Sequence, residues 1–288
     1  MIEVRLLIDS RCKLGESPVW DERVSRLWWV DIDGRAIHRA SGDGEAHESW
    51  VFEKRPTALG LTGDPRTLAI ACEDGVYLWS VGEAPVLLAL IEPDEPRTRC
   101  NDGKVGPDGA FWIGTMNEAQ DGEAIARLWR VRPDGVAQCM VEGLRTSNGL
   151  AWTADGRTMF HSDSRAQFID RFAFDPATGE LSQRTRIVEP TEEAGRPDGG
   201  TCDAQGRYWS AGVSAGCLNC YAADGALLVR IPLPVDGPTC PCFGGEDFAA
   251  MFVTSLQRPE SPGEAGGVHV LEPGVRGFAS FRFGETTS

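Results

Sequence analysis

Glu16, Ala58, Asn101, Asn148, Asp198 and Cys242 recur at intervals of about 42 to 50 residues, each a few positions ahead of a Gly- or Asp-containing bend. Four of them, Glu16, Asn101, Asn148 and Asp198, carry side-chain oxygen. Residues repeated at a fixed interval hold one position in a repeated unit, and in a closed ring of units they converge on the axis. Two carboxylates facing each other in a narrow, buried space are costly without a compensating charge. A divalent cation resolves that cost. An all-oxygen set without His or Cys suits a hard ion such as Ca²⁺, Mg²⁺ or Mn²⁺ better than Zn²⁺. Such residues can also hydrogen-bond turn backbone or channel water. Four in register, two of them anionic, favour the cation.

Convergence of this kind needs a ring, and the chain carries the repeat for one. Six segments, starting at Asp21, Gly63, Pro107, Ala154, Asp203 and Gly245, share a polar turn, a bend and a short apolar strand. The bends lie about 43 to 48 residues apart, close to one four-stranded propeller blade. A second strand follows each, over 36–39, 76–79, 127–131, 168–174, 218–221 and 267–271. Turns such as Pro133-Asp134-Gly135 close these pairs, because Gly and Asp accept positive φ. No stretch sustains a helical period. The expected fold is therefore all-β: a six-bladed β-propeller of four-stranded blades, one domain over residues 1–288, its ring closed by the N- and C-terminal strands. Segments 3–9 and 278–283 alternate like strands and are expected in the same blade. Segment 284–288 reads as a frayed tail.

Composition narrows the partners. With 28 basic and 43 acidic residues the net charge is −15, which excludes phosphate-rich ligands: no nucleic acid and no anionic membrane. The start, Met1-Ile2-Glu3-Val4-Arg5, lacks a signal peptide's basic and apolar regions. No apolar run is long enough to span a bilayer. A cytoplasmic location is expected. Nine cysteines, an odd number, do not make a disulfide framework in a chain of this length. The Cys217/Cys220 and Cys240/Cys242 pairs read as buried strand residues, since no His–Cys spacing completes a zinc site.

Several motifs stand in order along the chain: Leu14-Gly15-Glu16-Ser17-Pro18-Val19-Trp20, Arg99-Cys100-Asn101-Asp102-Gly103-Lys104-Val105, Gly114-Thr115-Met116, Ser147-Asn148-Gly149-Leu150-Ala151-Trp152, Pro197-Asp198-Gly199-Gly200 and Cys242-Phe243-Gly244-Gly245. In sequence and spacing the chain resembles the gluconolactonase/senescence marker protein (regucalcin-like) family over nearly its whole length. The resemblance implies a six-bladed propeller and one divalent metal ion (Ca²⁺, Mg²⁺, Mn²⁺, Zn²⁺ or Fe²⁺) on Glu16, Asn148 and Asp198. It also implies a substrate-contacting pair at Arg99 and Asn101, and hydrolysis of a small-molecule sugar lactone.

Lactone hydrolysis needs a polarised carbonyl, an activated water and a leaving ring oxygen. Three protein ligands leave a metal with open positions. Asp198, a carboxylate at that metal, is the candidate catalytic base. An Arg fork and an amide suit sugar hydroxyls and a carbonyl. Some family members place an acidic substrate contact just after Gly-Thr-Met; here that stretch reads Asn117-Glu118-Ala119-Gln120, which singles out Glu118. Two other functions fit the same frame. One is a non-catalytic calcium-binding propeller. The other is a propeller hydrolase of organophosphates or aryl esters, disfavoured because no second set of channel ligands is evident. The sequence leaves the sugar and the oligomeric state open.

Other signals point to structure. Gly212-Val213-Ser214-Ala215-Gly216 matches a nucleophile elbow but lacks the strand–turn–helix context. Asp31-Ile32-Asp33-Gly34 begins like an EF-hand loop, lacks its closing Glu and helices, and reads as a hairpin turn. The four histidines, 38, 47, 161 and 269, are scattered, and His161 reads as structural. Trp20, Trp28, Trp112, Trp152 and Trp209 suit packing between blades.

Overall fold

Apolar residues two apart, interrupted by Gly- and Asp-rich turns, produce 24 strands in six four-stranded antiparallel sheets. In this computed structural model, which describes residues 2–119, 121–261 and 263–286, no helix forms. None is therefore long and apolar enough, among the described residues, to cross a membrane. The six sheets are the blades of a β-propeller. Blades 1 to 5 are consecutive meanders with innermost strands Gly15–Asp21, Pro56–Leu61, Thr98–Val105, Ser147–Trp152 and Pro197–Cys202. Blade 6 takes Pro238–Gly244, Ala250–Ser255 and Val268–Leu271, then borrows Val4–Ile8 as its outer strand. Val4 stands opposite Leu271 and Ile8 opposite Val268.

Ring closure thus joins the two ends of the chain as expected, but Val268–Leu271 is the C-terminal partner, not 278–283. The latter segment is an extended strap across the far end of the channel. Gly277 N donates to Phe248 O of blade 6, Ala204 N of blade 5 to Arg276 O, and Phe283 N to Leu61 O of blade 2. Arg282 pairs with Glu22 of blade 1. The rings of Phe278, Phe281 and Phe283 pack under blades 2 to 5. Their spacing resembles a strand's because an extended strap with one buried side has the same periodicity. Nor does the segment fray at Gly284. Its N–H donates to Gly109 O at 2.9 Å, and Glu285 N donates to Arg282 O at 3.0 Å. Thr287 and Ser288 lie outside the described residues.

Aromatic rings fill the seams between blades. Trp20 stacks on Phe252 between blades 1 and 6 at 5.6 Å, and Trp28 meets Trp79 edge-on between blades 1 and 2 at 6.4 Å. Trp112 meets Trp152 at 5.8 Å, Phe160 meets Tyr208 at 4.8 Å and Trp209 meets Phe243 at 6.3 Å, joining blades 3 to 6. Each such pair adds about 0.5–1.5 kcal/mol beyond the area it buries. The seam between blades 2 and 3 is built on Ala58, Ala69, Val105, Ile113 and the ring of Phe111.

His161 is structural, as expected. It is fully buried in blade 4, with Nε2 2.8 Å from Ser147 Oγ, and Nδ1 has no hydrogen-bond partner. Burial pushes its pKa down to about 4, against 6.5 when exposed. The unfolded chain therefore takes up a proton before the native state does. The stabilisation is complete above about pH 6.5 and is lost as pH falls toward 4. Between pH 7 and 5, urea titrations should show wild type losing about 2 kcal/mol more stability than His161→Gln. Equal losses would refute a neutral buried imidazole.

Candidate active site at the channel mouth

Every inner strand breaks register at the same height. The shifts fall between Glu16 and Val19, Pro56 and Ala58, Cys100 and Gly103, Asn148 and Ala151, Pro197 and Gly200, and Pro238 and Pro241. A bulge of this kind re-aims the side chains beside it. The six residues at this height are Glu16, Thr57, Asn101, Asn148, Asp198 and Thr239. Sequence spacing puts Ala58 and Cys242 in two of these places. Strand register puts them deeper, because loop lengths vary between blades and counting from the bend does not follow the pairing. All six positions therefore carry side-chain oxygen.

The oxygens differ in what they already bond. Thr239 Oγ1 donates to Gly15 O at 2.5 Å, and Thr57 Oγ1 lies 3.4 Å from Ala71 O. Asn101 joins blades 3 and 4: its Nδ2 donates to Ser147 O at 3.0 Å and its Oδ1 accepts from Arg99 Nη1 at 3.1 Å. Asn148 is oriented differently. Ser164 Oγ gives its one proton to the Pro197 carbonyl at 2.5 Å, so it can only accept from Asn148 Nδ2, at 2.7 Å. Asn148 Oδ1 is left without a donor among the described residues. Glu16 Oε2 accepts from Ser17 N at 2.8 Å, while Oε1 has no such partner. The Asp198 carboxylate is met by the Gly199 N–H.

Local backbone holds these groups in place. Asp31 accepts from Lys13 N and Leu14 N, each at 3.0 Å, and so pins the segment entering the Glu16 strand. Asp163 does the same for Arg145 N and Thr146 N ahead of Asn148. Directly after Glu16, Ser17 sits in the left-handed region at φ 48°, a strain of about 1–3 kcal/mol. It is held there by Leu59 N, which donates to Ser17 Oγ at 2.9 Å. After Asn148, Gly149 takes φ 65°. A Cβ there would come within 2.3 Å of Tyr208 Oη, so only glycine fits.

The electrostatics are unbalanced. Glu16, Asp102 and Asp198 are buried together. Burial, then the charges of Asp198 and Asp102, pushes the Glu16 carboxyl well above the usual range. Burial and Asp102 push Asp198 up to about 7. Lys104 is the cation beside Glu16 and Asp102, its Nζ donating to Gly200 O at 2.6 Å, and Arg196 and Arg258 act on Asp198. Neither Asp102 nor Lys104 is among the expected site residues. Their signal was two further charges at i, i+2 just past Arg99 and Asn101 in the Thr98–Val105 strand. With two carboxylates that each accept a backbone N–H and keep lone pairs over, an amide carbonyl without a donor among the described residues, and a surplus of buried negative charge, the donor set fits a hard divalent cation.

Blade 3 flanks this set. Arg99 is buried. Its Nη1 donates to Cys100 O at 2.8 Å as well as to Asn101, and its Nε–H makes no hydrogen bond. Glu118 does reach the mouth: its Oε1 lies 3.5 Å from Arg99 Nε and 2.6 Å from Arg55 Nη1. Gln120 lies outside the described residues. Below the mouth is a cavity of about 60 Å³, lined by Asp102, Lys104 and Cys240 and floored by Phe278 and Phe281.

Known proteins share this frame. Residues 14–257 match the model of the SMP-30/Gluconolactonase/LRE-like region. The pentonolactonase XacC of Haloferax volcanii is 32% identical over 97% of each chain. Regucalcin of Oryctolagus cuniculus is 30% identical over 98% of each. The crystal structure of a calcium-binding protein, regucalcin, from Agrobacterium tumefaciens superposes with a TM-score of 0.91 at 27% identity, covering 98% of this chain and 97% of that one. A match this long, on the propeller whose bulges carry the oxygen ring, makes the chain a member of the SMP-30/gluconolactonase/LRE-like family.

Proposed function

We propose that the channel mouth hydrolyses a sugar lactone to its hydroxy acid, with one divalent cation held by Glu16, Asn148 and Asp198. The observation that carries this reading is that two buried carboxylates with lone pairs to spare and one amide oxygen stand at the same height of blades 1, 5 and 4, with buried Arg99 on the neighbouring blade 3. Similarity to a protein named pentonolactonase supports the lactone class. When bound, such a cation supplies Lewis acidity to the carbonyl and lowers the pKa of water.

The protein's own groups do the rest. Asp198 takes the proton of the attacking water and returns it to the ring oxygen as the acyl C–O bond breaks. Arg99 and Asn101 hold the sugar. The Arg99 fork is held by Cys100 O and Asn101 Oδ1, while its buried Nε faces the Glu118 carboxylate. Glu118 positions Arg99 from the outer side. Arg99→Lys keeps the charge and loses the planar fork. It is expected to lower kcat/KM by about 10–100-fold, mostly through KM, as loss of a charged hydrogen bond does. An unchanged KM would remove Arg99 from substrate binding.

The reading is tested by stripping the protein with chelator and following acid release from a panel of aldonolactones. Each is run without metal and with Ca²⁺, Mg²⁺, Mn²⁺, Zn²⁺ or Fe²⁺, with the metal's own background subtracted. Metal-restored turnover of one or two lactones supports it. Tight metal binding by calorimetry without turnover would replace it with a calcium-binding role.

A further inference from the structure

We infer that Cys12, Asp31 and His38 form a second metal site, for Zn²⁺, at the seam where the propeller ring closes. One ligand atom from each lies within 4.8 Å of the others. Cys12 Sγ and His38 Nε2 are 3.9 Å apart. Zinc bonds thiolate sulfur at about 2.3 Å and imidazole nitrogen at about 2.0–2.1 Å, so one ion spans that gap with a wide S–Zn–N angle. All three residues are buried. A thiol, an imidazole and a carboxylate are zinc's own donor types, whereas the all-oxygen set at the channel mouth suits harder ions.

The three groups are already oriented. Asp31 Oδ1 accepts from Leu14 N at 3.0 Å and Gly34 N at 2.9 Å, while Oδ2 accepts only from Lys13 N at 3.0 Å among the described residues. Oδ2 therefore keeps a lone pair. His38 Nδ1 faces His47 Nε2 at 3.0 Å. Its ring stacks on Trp29 with centroids 5.1 Å apart and planes 11° from parallel. An outer partner on one ring nitrogen is how metal-bound histidines are commonly held, and it frees Nε2 for the ion. Burial keeps His38 neutral at pH 7, the form a metal needs. Binding exchanges the Cys12 S–H proton for the metal and releases it to solvent.

The site's place gives it a use. Cys12 lies in the segment leading from the outer strand of blade 6 to the inner strand of blade 1, and its N–H donates to Gly266 O at 2.8 Å. Asp31 and His38 belong to blade 1. An ion here clamps that crossing segment to the first blade. His47, which backs His38, is exposed.

The test uses the full chain, stripped with chelator, saturated with Mg²⁺ to fill the oxygen site, and titrated with Co²⁺ as a coloured stand-in for zinc. A thiolate-to-cobalt charge-transfer band is expected at one equivalent, Zn²⁺ should bleach it, and Cys240→Ser, which removes the thiol below the mouth, should keep it. Cys12→Ser and His38→Gln, each first shown folded by circular dichroism, should lose the band, and Glu16→Gln should keep it. His47→Ala should weaken Co²⁺ binding by about 10–100-fold. With Mg²⁺ present throughout, Zn²⁺ should raise the Tm of wild type by more than that of Cys12→Ser. Absence of the band in wild type, or its persistence in both Cys12→Ser and His38→Gln, overturns the site.

Discussion

Asp198→Asn should lower kcat on the best lactone by about 10²–10⁴-fold at saturating metal, the usual worth of a positioned acid–base group. The substitution keeps size and leaves one oxygen able to face the cation, so the comparison isolates proton transfer from metal loss. Burial and Asp102 lift the Asp198 pKa to about 7 in the metal-free protein. A bound cation draws it back down, leaving a carboxylate that is ionised at neutral pH and placed to take a proton from water and return it. An amide can do neither. Single-turnover acid release, with metal content measured on the same sample, separates the two effects. Turnover within a few-fold of wild type in a metal-loaded variant would remove Asp198 from proton transfer and leave it a ligand.

Glu16→Gln should act oppositely on binding and on stability. The Glu16 carboxylate is the group most penalised by its surroundings: buried, and repelled by Asp198 and Asp102. A cation turns that penalty into attraction. Replacing the charge should weaken divalent-metal binding by more than the about 10–100-fold typical of losing an outer-shell partner. In the metal-free protein at pH 8 the same substitution should raise Tm, because a buried, uncompensated charge has been removed. Adding Ca²⁺ or Mg²⁺ should reverse the order. Calorimetry and thermal melts with and without metal check both halves. A variant less stable than wild type without metal would mean that Lys104 already neutralises the cluster.

The propeller was legible because its turns must contain Gly or Asp at fixed places, and those residues mark the period whatever the strands between them contain. Glu16, Asn101, Asn148 and Asp198 stood out for the same reason, four oxygen side chains on the beat of the repeat; the choice of three of them as ligands came from the family resemblance. The mistakes had a common cause. Sequence spacing counts residues, whereas position around a channel is set by pairing, and a bulge inserts a residue without moving the strand. Thr57 and Thr239 were therefore missed in favour of Ala58 and Cys242. The phenylalanines of 278–283 alternate as a strand's would, and nothing local distinguishes pairing with a neighbour from lying across a channel. Cys12, Asp31 and His38 follow no spacing rule at all. They meet only because blade 1 and the closing segment are brought together by pairing with residues about 260 positions away.

The strap at the far end of the channel turns a tunnel into a cul-de-sac. With Phe278 and Phe281 closing the floor, a ligand at the mouth has one doorway, and whatever is made there must leave as its precursor came. On the proposed chemistry the precursor is a neutral ring and the product an anion, formed beside Glu16, Asp102 and Asp198 on a chain whose net charge is −15. The field that draws in a cation therefore pushes the spent molecule outward, so traffic through the single doorway is sorted by charge rather than by a second exit.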